Sequence, residues 1–260
     1  MSNLLDQVIA ISREVGQFLK YEQAKILESE IEYKDRSNDM VSRADKEAEQ
    51  RFVDFLSQLL PDSGFIAEEG TSTKVGETDN WIIDPLDGTT NYLYGIPCYC
   101  TSVALRRKGE LILGVIYDPT RDECFAAEKG KGATLNGSPV HVSKQDSLEK
   151  SLIATGFPYD DRDRDRQYID ILLAINAHSR GMRRLGSAAL DMAYVACGRF
   201  EGFYEYGLNA WDVAAGAIII QEAGGKVSSF IDGSDFIEVQ TILCDNKLIH
   251  TDLLAFLKDW

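Results

Sequence analysis

The 260-residue sequence is poor in histidine and in positive charge, and it has no long apolar run. It has only three histidines, and its five cysteines include no CxxC pair, so a zinc site built from His and Cys is not indicated. Acidic residues outnumber basic ones 42 to 27, for a net charge of −15, which argues against nucleic acid as a main partner. No apolar stretch approaches the ~18 residues of a membrane span, and the N-terminus does not read as a signal peptide. We therefore expect no membrane partner and a cytoplasmic protein with reduced thiols.

The apolar residues predict two halves that differ in their order of helices and strands. Helical spacing at residues 3–30 and 42–59 predicts two amphipathic helices. Short apolar runs up to residue 140 then predict a mostly antiparallel sheet that ends in a hairpin at 130–140. Further on, strands (SLIATG, FEGFYE, GKVSSF) alternate with helices at 165–178, 187–198 and 212–224. We predict an α+β half over residues 1–144 and an α/β half over residues 145–260, tightly packed.

The stretch WIIDPLDGTTNY, residues 81–92, places two carboxylates beside a turn. Asp84 ends a buried type of strand, Pro85 fixes the following backbone angle, and Gly88 permits a positive φ. Asp84 and Asp87 can then face one point, while Thr89 begins a helical turn with unpaired N–H groups that suit a phosphate. An ordinary Asp-Gly turn followed by a threonine helix cap explains this stretch equally well by itself.

Two further groups of acids favour a cation site. Glu68 and Glu69 follow the apolar run GFIA, and Asp212 precedes the helix VAAGAIIIQEAGG, where an N-cap is the simpler explanation. Carboxylates at three element ends, with so few histidines, match the oxygen ligands of Mg²⁺. Such a cation would also reverse the local field that otherwise repels a phosphate from so acidic a chain.

Three other classes of protein share parts of this pattern. A cysteine phosphatase is suggested by the spacing of Cys100 and Arg106, but a strand would hold these residues roughly 20 Å apart. An aspartyl-phosphate phosphatase needs its two aspartates two residues apart, not three. A protein that binds a structural cation without catalysis stays open, although it leaves Thr89 unexplained. The segment DDRDRDR, residues 160–166, predicts a solvated loop, or else an edge of the site or of an interface.

Three motifs together resemble those of the inositol monophosphatase family. WIIDPLDGTTNY is similar to its DPxDGTxN motif, AEE at residues 67–69 to its upstream acidic motif, and LNAWDVAAGAIIIQEAGG at residues 208–225 to its WDxAAG motif. Their order and separation also agree, and the similarity runs from about residue 5 to the C-terminus. The resemblance implies a layered αβαβα sandwich and a homodimer.

The resemblance also implies roles for individual residues. The Mg²⁺ ligands, for two or three ions, would be Glu68, Asp84, Asp87, Asp212 and the carbonyl group of Leu86. Gly88 and Thr89 would bind the phosphate, Asp45 would hydrogen-bond Thr89, and Lys34 would lie near the metal site. Thr89, Asp45 and Glu68 would together orient the attacking water. The sugar-like part of the substrate would contact Gly186, Ser187, Ala188 and Glu205. Asp87 and Asp212 would also bind the substrate.

The reaction implied is in-line attack of a metal-activated water on a phosphate monoester. Inositol monophosphate or a related polyol phosphate is the expected substrate because DGTTNY is more similar to the inositol branch than to the adenosine bisphosphate branch. Fructose 1,6-bisphosphate, histidinol phosphate, NADP and adenosine 3′,5′-bisphosphate stay open as alternatives. Asn209 and Ala210 differ from the His and Cys of animal inositol enzymes, which leaves open a bacterial type with broader tolerance. Inhibition by Li⁺ is expected from the resemblance alone.

Overall fold

The structure is a computed structural model that describes residues 3–24, 32–34, 39–41, 43–157, 165–231 and 234–258. For residues 32–34, 39–41 and 165 it describes the backbone only. The helices are α1 (Leu4–Gln23), α2 (Arg43–Leu59), α3 (Thr89–Leu93), α4 (Asp165–His178), α5 (Ala188–Ala196), α6 (Ala210–Glu222) and α7 (His250–Leu257), with a 3₁₀ turn at Leu148–Lys150. Within the described ranges, none of these helices combines the length and the apolar character needed to cross a bilayer.

Fourteen strands form three sheets in the described part of the chain. They are β1 (Glu32–Lys34), β2 (Asp39–Val41), β3 (Gly64–Ala67), β4 (Asp79–Asp87), β5 (Cys100–Arg107), β6 (Glu110–Asp118), β7 (Glu123–Glu128), β8 (Ala133–Leu135), β9 (Ser138–Val140), β10 (Leu152–Thr155), β11 (Gly181–Arg183), β12 (Gly202–Tyr206), β13 (Lys226–Ser228) and β14 (Thr241–Asp245). The large sheet has the order β3-β4-β5-β6-β7-β8-β9, the second has the order β11-β10-β12-β14-β13, and β1 pairs with β2.

The seven-stranded sheet is covered on both faces. It is antiparallel except for the parallel pair β3 and β4, and alternate residues of each strand point to opposite faces. On β4, Trp81 and Ile83 share a core with Val8 of α1 and Phe52 of α2, whereas Ile82 belongs to the core that contains α5 and α6. The central strands therefore read as continuous apolar runs because both of their faces are buried.

The second sheet shares α5 and α6 with the first. Ala154 of β10 and Phe203 of β12 lie in the same core as these two helices, whereas Ile153 and Tyr204, their neighbours in sequence, pack with Tyr168 of α4. The layers thus run α1/α2, seven-stranded sheet, α5/α6, five-stranded sheet, α4/α7. This is the αβαβα sandwich that the family resemblance implies, and the mixed α+β fold class is confirmed.

Most predicted elements are present, with differences at the ends and at the C-terminus. The predicted strand at NWIID does not stop at Asp84: β4 continues to Asp87 through an irregularity in its pairing with β5. The sequence indicated a stop because Pro85 cannot donate to a sheet, but the irregularity between Asp84 and Asp87 accommodates it. Asp212 lies inside the first turn of α6, whose N-cap is Asn209, so Asp212 is not itself the cap. The strands β1, β2, β11 and β14 and helix α7 were not predicted. The first helix, predicted over residues 3–30, ends at Gln23 with Ala24 as its C-cap.

Candidate functional site

Three element ends that carry acids meet beside β4. Because β3 and β4 are parallel, with Ala67 opposite Ile83, the residues that follow them lie side by side; the backbone N–H of Glu68 donates to the carbonyl oxygen of Ile83 at 3.3 Å. On the other side of β4, Asp84 lies opposite Ser102 of β5. The Ser102 hydroxyl donates to the carbonyl oxygen of Trp211 at 3.2 Å, which brings the first turn of α6 to the same place.

The electrostatics of Asp84 show that these acids act on one another. Burial raises the pKa of Asp84 well above its ordinary value, and the charges of Glu68, Asp87, Asp212 and Asp45 raise it further. The pKa of Asp212 is raised well above its ordinary value for the same reasons, by burial first and then by Asp87 and Glu68. Without a cation the site therefore opposes its own full ionisation.

Each of three carboxylates is oriented by hydrogen bonds from the backbone. One Asp84 oxygen accepts from the N–H of Leu86 at 2.9 Å, across Pro85, and one Asp212 oxygen accepts from the N–H of Asn209 at 2.6 Å. An Asp87 oxygen accepts from the hydroxyl of Ser187 at 2.6 Å and from the N–H of Ala189 at 2.7 Å. Burial raises the pKa of Asp87, but these donors at the start of α5 oppose that shift and favour its charged form.

The hydroxyl of Thr89 has a different partner from the one expected. It donates to the carbonyl oxygen of Leu86 at 3.0 Å, so its proton is directed there and not towards Asp45. The reason is local, since residue 86 lies three residues before Thr89 within one turn of backbone. Asp45 itself is buried on the first turn of α2, and its charge acts on Asp84.

The start of α3 provides backbone donors close to these acids. Its first helical bond runs from the N–H of Tyr92 to the carbonyl oxygen of Gly88, so the N–H groups just before Tyr92 precede the helical pattern. α3 has only five residues, so individual N–H groups, more than a helix dipole, would bind an anion here. Gly88 has φ +93°, and a Cβ there would lie 2.9 Å from the carbonyl oxygen of Cys98, so only glycine fits this turn.

The residues predicted to contact a sugar lie on the α5 and β12 side of the site. Ser187, buried as the N-cap of α5, donates to Asp87 and accepts from the N–H of Leu190 at 3.3 Å, so its hydroxyl is engaged within the protein. Gly186 is joined to α3, because the amide of Asn91 donates to its carbonyl oxygen at 3.3 Å. Ala188 starts α5, and Glu205 lies buried on β12.

Glu205 is a buried acid with an altered pKa. Burial raises the pKa of this carboxyl to about 8, against a lowering by Arg184 and a further raising by Asp87. Its carboxyl group lies directly over Gly156, where a Cβ would approach it to 2.0 Å. At neutral pH Glu205 is therefore mostly protonated and can donate a hydrogen bond as well as accept one.

Replacing Glu205 by glutamine should flatten the pH dependence of stability. The folded carboxyl keeps its proton up to a pH of about 8, whereas the unfolded one loses it near 4.5. Between these values the folded state binds more protons, so Glu205 lowers the free energy of unfolding as pH rises, by on the order of a few kcal/mol at pH 8 and above.

Urea unfolding at pH 5, 6.5 and 8.5 measures this effect. The difference in unfolding free energy between Glu205→Gln and wild type should grow in favour of the variant as pH increases. Glu238→Gln, at an exposed position, should show no such trend. Parallel pH curves for Glu205→Gln and wild type would contradict the assignment of a raised pKa to Glu205.

Sequence reasoning missed three further residues near these groups. Glu49 on α2 is fully buried and binds the turn after β3. Asp191 on α5 is also buried; its pKa is raised well above the ordinary value by burial and then by Glu205 and Asp87. Arg184 acts electrostatically on Glu205 and Asp191 and lies 5.8 Å from the ring of Phe157. Of these three residues, only Glu49 had a signal in the sequence: it lies four residues after Asp45, so the two acids share one face of the helix.

Other predicted features can be placed only in part. Cys100 and Arg106 lie on the same extended strand β5, which excludes a loop of cysteine-phosphatase form at these residues. Burial also raises the pKa of the Cys100 thiol, which opposes a nucleophilic role. The side chain of Lys34, and residues 160–164 of the charged segment 160–166, lie outside the described residues.

The profile of the Inositol monophosphatase family matches residues 1–259. The chain belongs to the inositol monophosphatase family. It is 39% identical over 258 residues to a protein named inositol-1-monophosphatase from Mesorhizobium japonicum, covering 99% of this chain and 97% of that one. It is 38% identical to a protein named Nus factor SuhB from Pseudomonas aeruginosa, covering 98% of this chain and 96% of that one.

Solved structures agree with this membership. Extragenic suppressor protein suhB from Bartonella henselae superposes with a TM-score of 0.93 at 38% identity, over 99% of both chains. Inositol monophosphatase from Anabaena superposes with a TM-score of 0.87 at 37% identity, over 98% of this chain and 95% of that one. The resemblance inferred from three motifs is confirmed, and the protein is an enzyme of a phosphatase family.

The carboxylates of this inositol monophosphatase family member lie near one another but do not converge on one point. Among the residues that the structure describes, no group of three or more His, Cys, Asp or Glu side chains has the geometry of a ready-made metal site. The donors at the site are nonetheless all oxygens, and the acids raise one another's pKa, which a cation among them would reverse. The chemistry of these donors therefore fits a hard divalent cation.

Proposed function

We propose that this protein is a Mg²⁺-dependent phosphomonoesterase that hydrolyses inositol monophosphate or a related sugar or polyol phosphate. The observation that carries the proposal is the mutual electrostatic influence of Glu68, Asp84, Asp87 and Asp212 beside the first N–H groups of α3. Acids alone would repel a phosphate. Acids neutralised by a cation, next to unpaired N–H groups, would bind one.

Glu68, Asp84, Asp87, Asp212 and the carbonyl group of Leu86 would hold the cations, two or three in number. Bound Mg²⁺ would act as a Lewis acid, which lowers the pKa of water and stabilises negative charge on the phosphate and leaving-group oxygens. The N–H groups of Gly88 and Thr89 would bind the phosphate oxygens. Glu68, Thr89 and Asp45 would orient the attacking water opposite the leaving group. No step in this scheme needs a covalent phosphoenzyme.

The leaving group would occupy the side of the site formed by Gly186, Ala188 and Glu205. The Glu205 carboxyl, neutral near pH 7, suits hydrogen bonding to a hydroxyl group of a polyol. Ser187 would act here mainly through Asp87, given its hydrogen bond to that carboxylate. A polyol monophosphate is therefore our first choice of substrate within the family.

A panel assay with Mg²⁺ tests this choice. The substrates are inositol 1-phosphate, fructose 1,6-bisphosphate, histidinol phosphate, NADP and adenosine 3′,5′-bisphosphate, compared by kcat/KM. The proposal predicts the highest value for inositol 1-phosphate. A tenfold or greater preference for another member would move the assignment to that substrate, and no turnover of any member would contradict a phosphomonoesterase.

Other expectations remain proposals. They are a homodimer, a cytoplasmic location, inhibition by Li⁺, and the division into halves at residues 1–144 and 145–260. Relatives from Pseudomonas aeruginosa and Escherichia coli carry the name Nus factor SuhB. The net charge of −15 still argues against nucleic acid as a direct partner. Phosphatase activity is therefore the function that we propose.

A further inference from the structure

Helix α2 presents two buried acids on one side, one helical turn apart. Asp45 is 1% exposed and Glu49 is not exposed at all. Residues four apart on a helix lie on the same face, so both side chains are directed towards the elements that α2 packs against. Asp45 acts electrostatically on Asp84, as described above. Glu49 has no role in the proposed chemistry. Burying a carboxylate is costly unless it is well hydrogen-bonded, so the hydrogen bonds of Glu49 show what it does in the fold.

The partners of Glu49 all belong to the turn that follows β3. One carboxylate oxygen accepts from the backbone N–H of Glu69 at 2.7 Å. The other accepts from the backbone N–H of Thr71 and from its hydroxyl, each at 2.7 Å. These contacts span 20 to 22 residues of sequence, so they join α2 to a segment far along the chain.

The turn that Glu49 binds begins with Glu68. Gly70, inside the turn, has φ +65°, which lets the backbone reverse so that the N–H groups on either side of it point at the same carboxylate. Glu68, the first residue of the turn, is held on the β4 side by the hydrogen bond from its backbone N–H to the carbonyl oxygen of Ile83. The backbone of Glu68 is thus fixed between β4 and the contacts that Glu49 makes.

We propose that Glu49 is a positioning residue that holds the Glu68–Thr71 turn so that Glu68 faces Asp84 before a cation binds. This inference rests on the proposed function, in which Glu68 is a cation ligand. Charge-assisted hydrogen bonds that a buried carboxylate accepts are among the stronger ones in proteins. If they are lost, the turn must be ordered when the cation binds, and this lowers the affinity. Partners that orient metal ligands typically affect metal affinity by about 10- to 100-fold.

The test compares Glu49→Gln with wild type by calorimetric titration of Mg²⁺ into chelator-treated protein. Glutamine keeps one oxygen acceptor but directs an NH₂ group at an N–H donor, so at least one contact is lost. We expect a Kd for Mg²⁺ raised about 10- to 100-fold. The kcat for inositol 1-phosphate at saturating Mg²⁺ should stay within about threefold, because Glu49 hydrogen-bonds Glu69 and Thr71, neither of which is proposed to bind substrate or orient water.

Glu47→Gln is the matched control. Glu47 lies on the same helix two residues earlier, where its carboxylate forms an exposed ion pair with Arg51. Its removal should leave the Kd for Mg²⁺ unchanged. If Glu49→Gln fails to fold, Thr71→Val removes only the hydroxyl contact and should raise the Kd by a smaller factor, whereas Thr71→Ser should retain wild-type affinity.

Two outcomes would overturn the inference about Glu49. One is a Kd for Mg²⁺ within twofold of wild type in Glu49→Gln, even if that variant has a lower melting temperature. If Glu49→Gln does not fold, the same criterion applies to Thr71→Val. The other is a loss of kcat at saturating Mg²⁺ well beyond the expected threefold limit, which would give Glu49 a part in the reaction itself. If wild type itself neither binds Mg²⁺ nor needs it for turnover, the proposed function has failed, and the inference about Glu49 fails with it.

Discussion

Replacing Asp87 by asparagine is expected to lower kcat by roughly 10³-fold or more, about 4 kcal/mol in activation free energy, while the fold is kept. Asparagine has nearly the shape of aspartate, and its amide oxygen can still accept from the Ser187 hydroxyl and the Ala189 N–H. What it lacks is the negative charge and the second carboxylate oxygen, so it would bind and neutralise a hard cation more weakly than aspartate does.

The same substitution should not destabilise the protein when cations are absent. Burial already raises the pKa of Asp87, and the neighbouring acids Asp84 and Asp212 repel it. A neutral amide relieves this repulsion, so the melting temperature in chelator should equal or exceed that of wild type.

Steady-state kinetics with Mg²⁺ and thermal unfolding in chelator check both parts of this prediction. Asp212→Asn should behave in the same way, whereas Asp170→Asn, an exposed position on α4, should leave kcat unchanged. Full activity in Asp87→Asn or Asp212→Asn would remove that residue from the set of cation ligands.

Thr89→Ala should lower kcat by roughly 10²-fold and leave the affinity for Mg²⁺ mostly in place. In the structure the Thr89 hydroxyl donates to the Leu86 carbonyl oxygen, one of the proposed cation ligands. With the Leu86 carbonyl serving as a cation ligand, the Thr89 hydroxyl would orient the attacking water together with Asp45 and Glu68. Alanine removes the hydroxyl without removing any ligand.

Thr89→Ser separates the hydroxyl group from the rest of the side chain. Serine keeps the hydroxyl, so it should retain kcat within about tenfold of wild type, with the same Kd for Mg²⁺ as Thr89→Ala. The measurements are kcat at saturating Mg²⁺ and calorimetric Mg²⁺ binding for all three proteins. An unchanged kcat in Thr89→Ala would exclude the hydroxyl from the reaction.

Many elements of the fold could be predicted from the apolar pattern because it reports burial directly, whereas their arrangement in layers was implied only by the family resemblance. Helices α2 and α4 begin within a residue of their predicted starts and end where predicted, and the hairpin of β8 and β9 lies inside its predicted range. The course of β4 past Asp84 could not be predicted, because Pro85 locally favours a turn. Only the pairing of Asp87 with Cys100, a contact between strands, continues the strand.

The candidate acids could be named from sequence, but the contacts between them could not. Motif resemblance identified Asp84, Asp87 and Asp212, each beside an element end. Nothing in the sequence indicates that Ser187, a hundred residues away, donates to Asp87, or that Glu49 binds the turn after β3. These contacts arise from packing between distant elements, which local pattern does not encode.

The most direct test of the proposed function is the turnover of inositol 1-phosphate by chelator-treated protein before and after Mg²⁺ is added. The function proposed here predicts no detectable hydrolysis in excess EDTA and recovery of full activity when Mg²⁺ exceeds the chelator. The stable fold should be present in both samples by circular dichroism. Undiminished hydrolysis in EDTA would contradict a catalytic cation at Glu68, Asp84, Asp87 and Asp212.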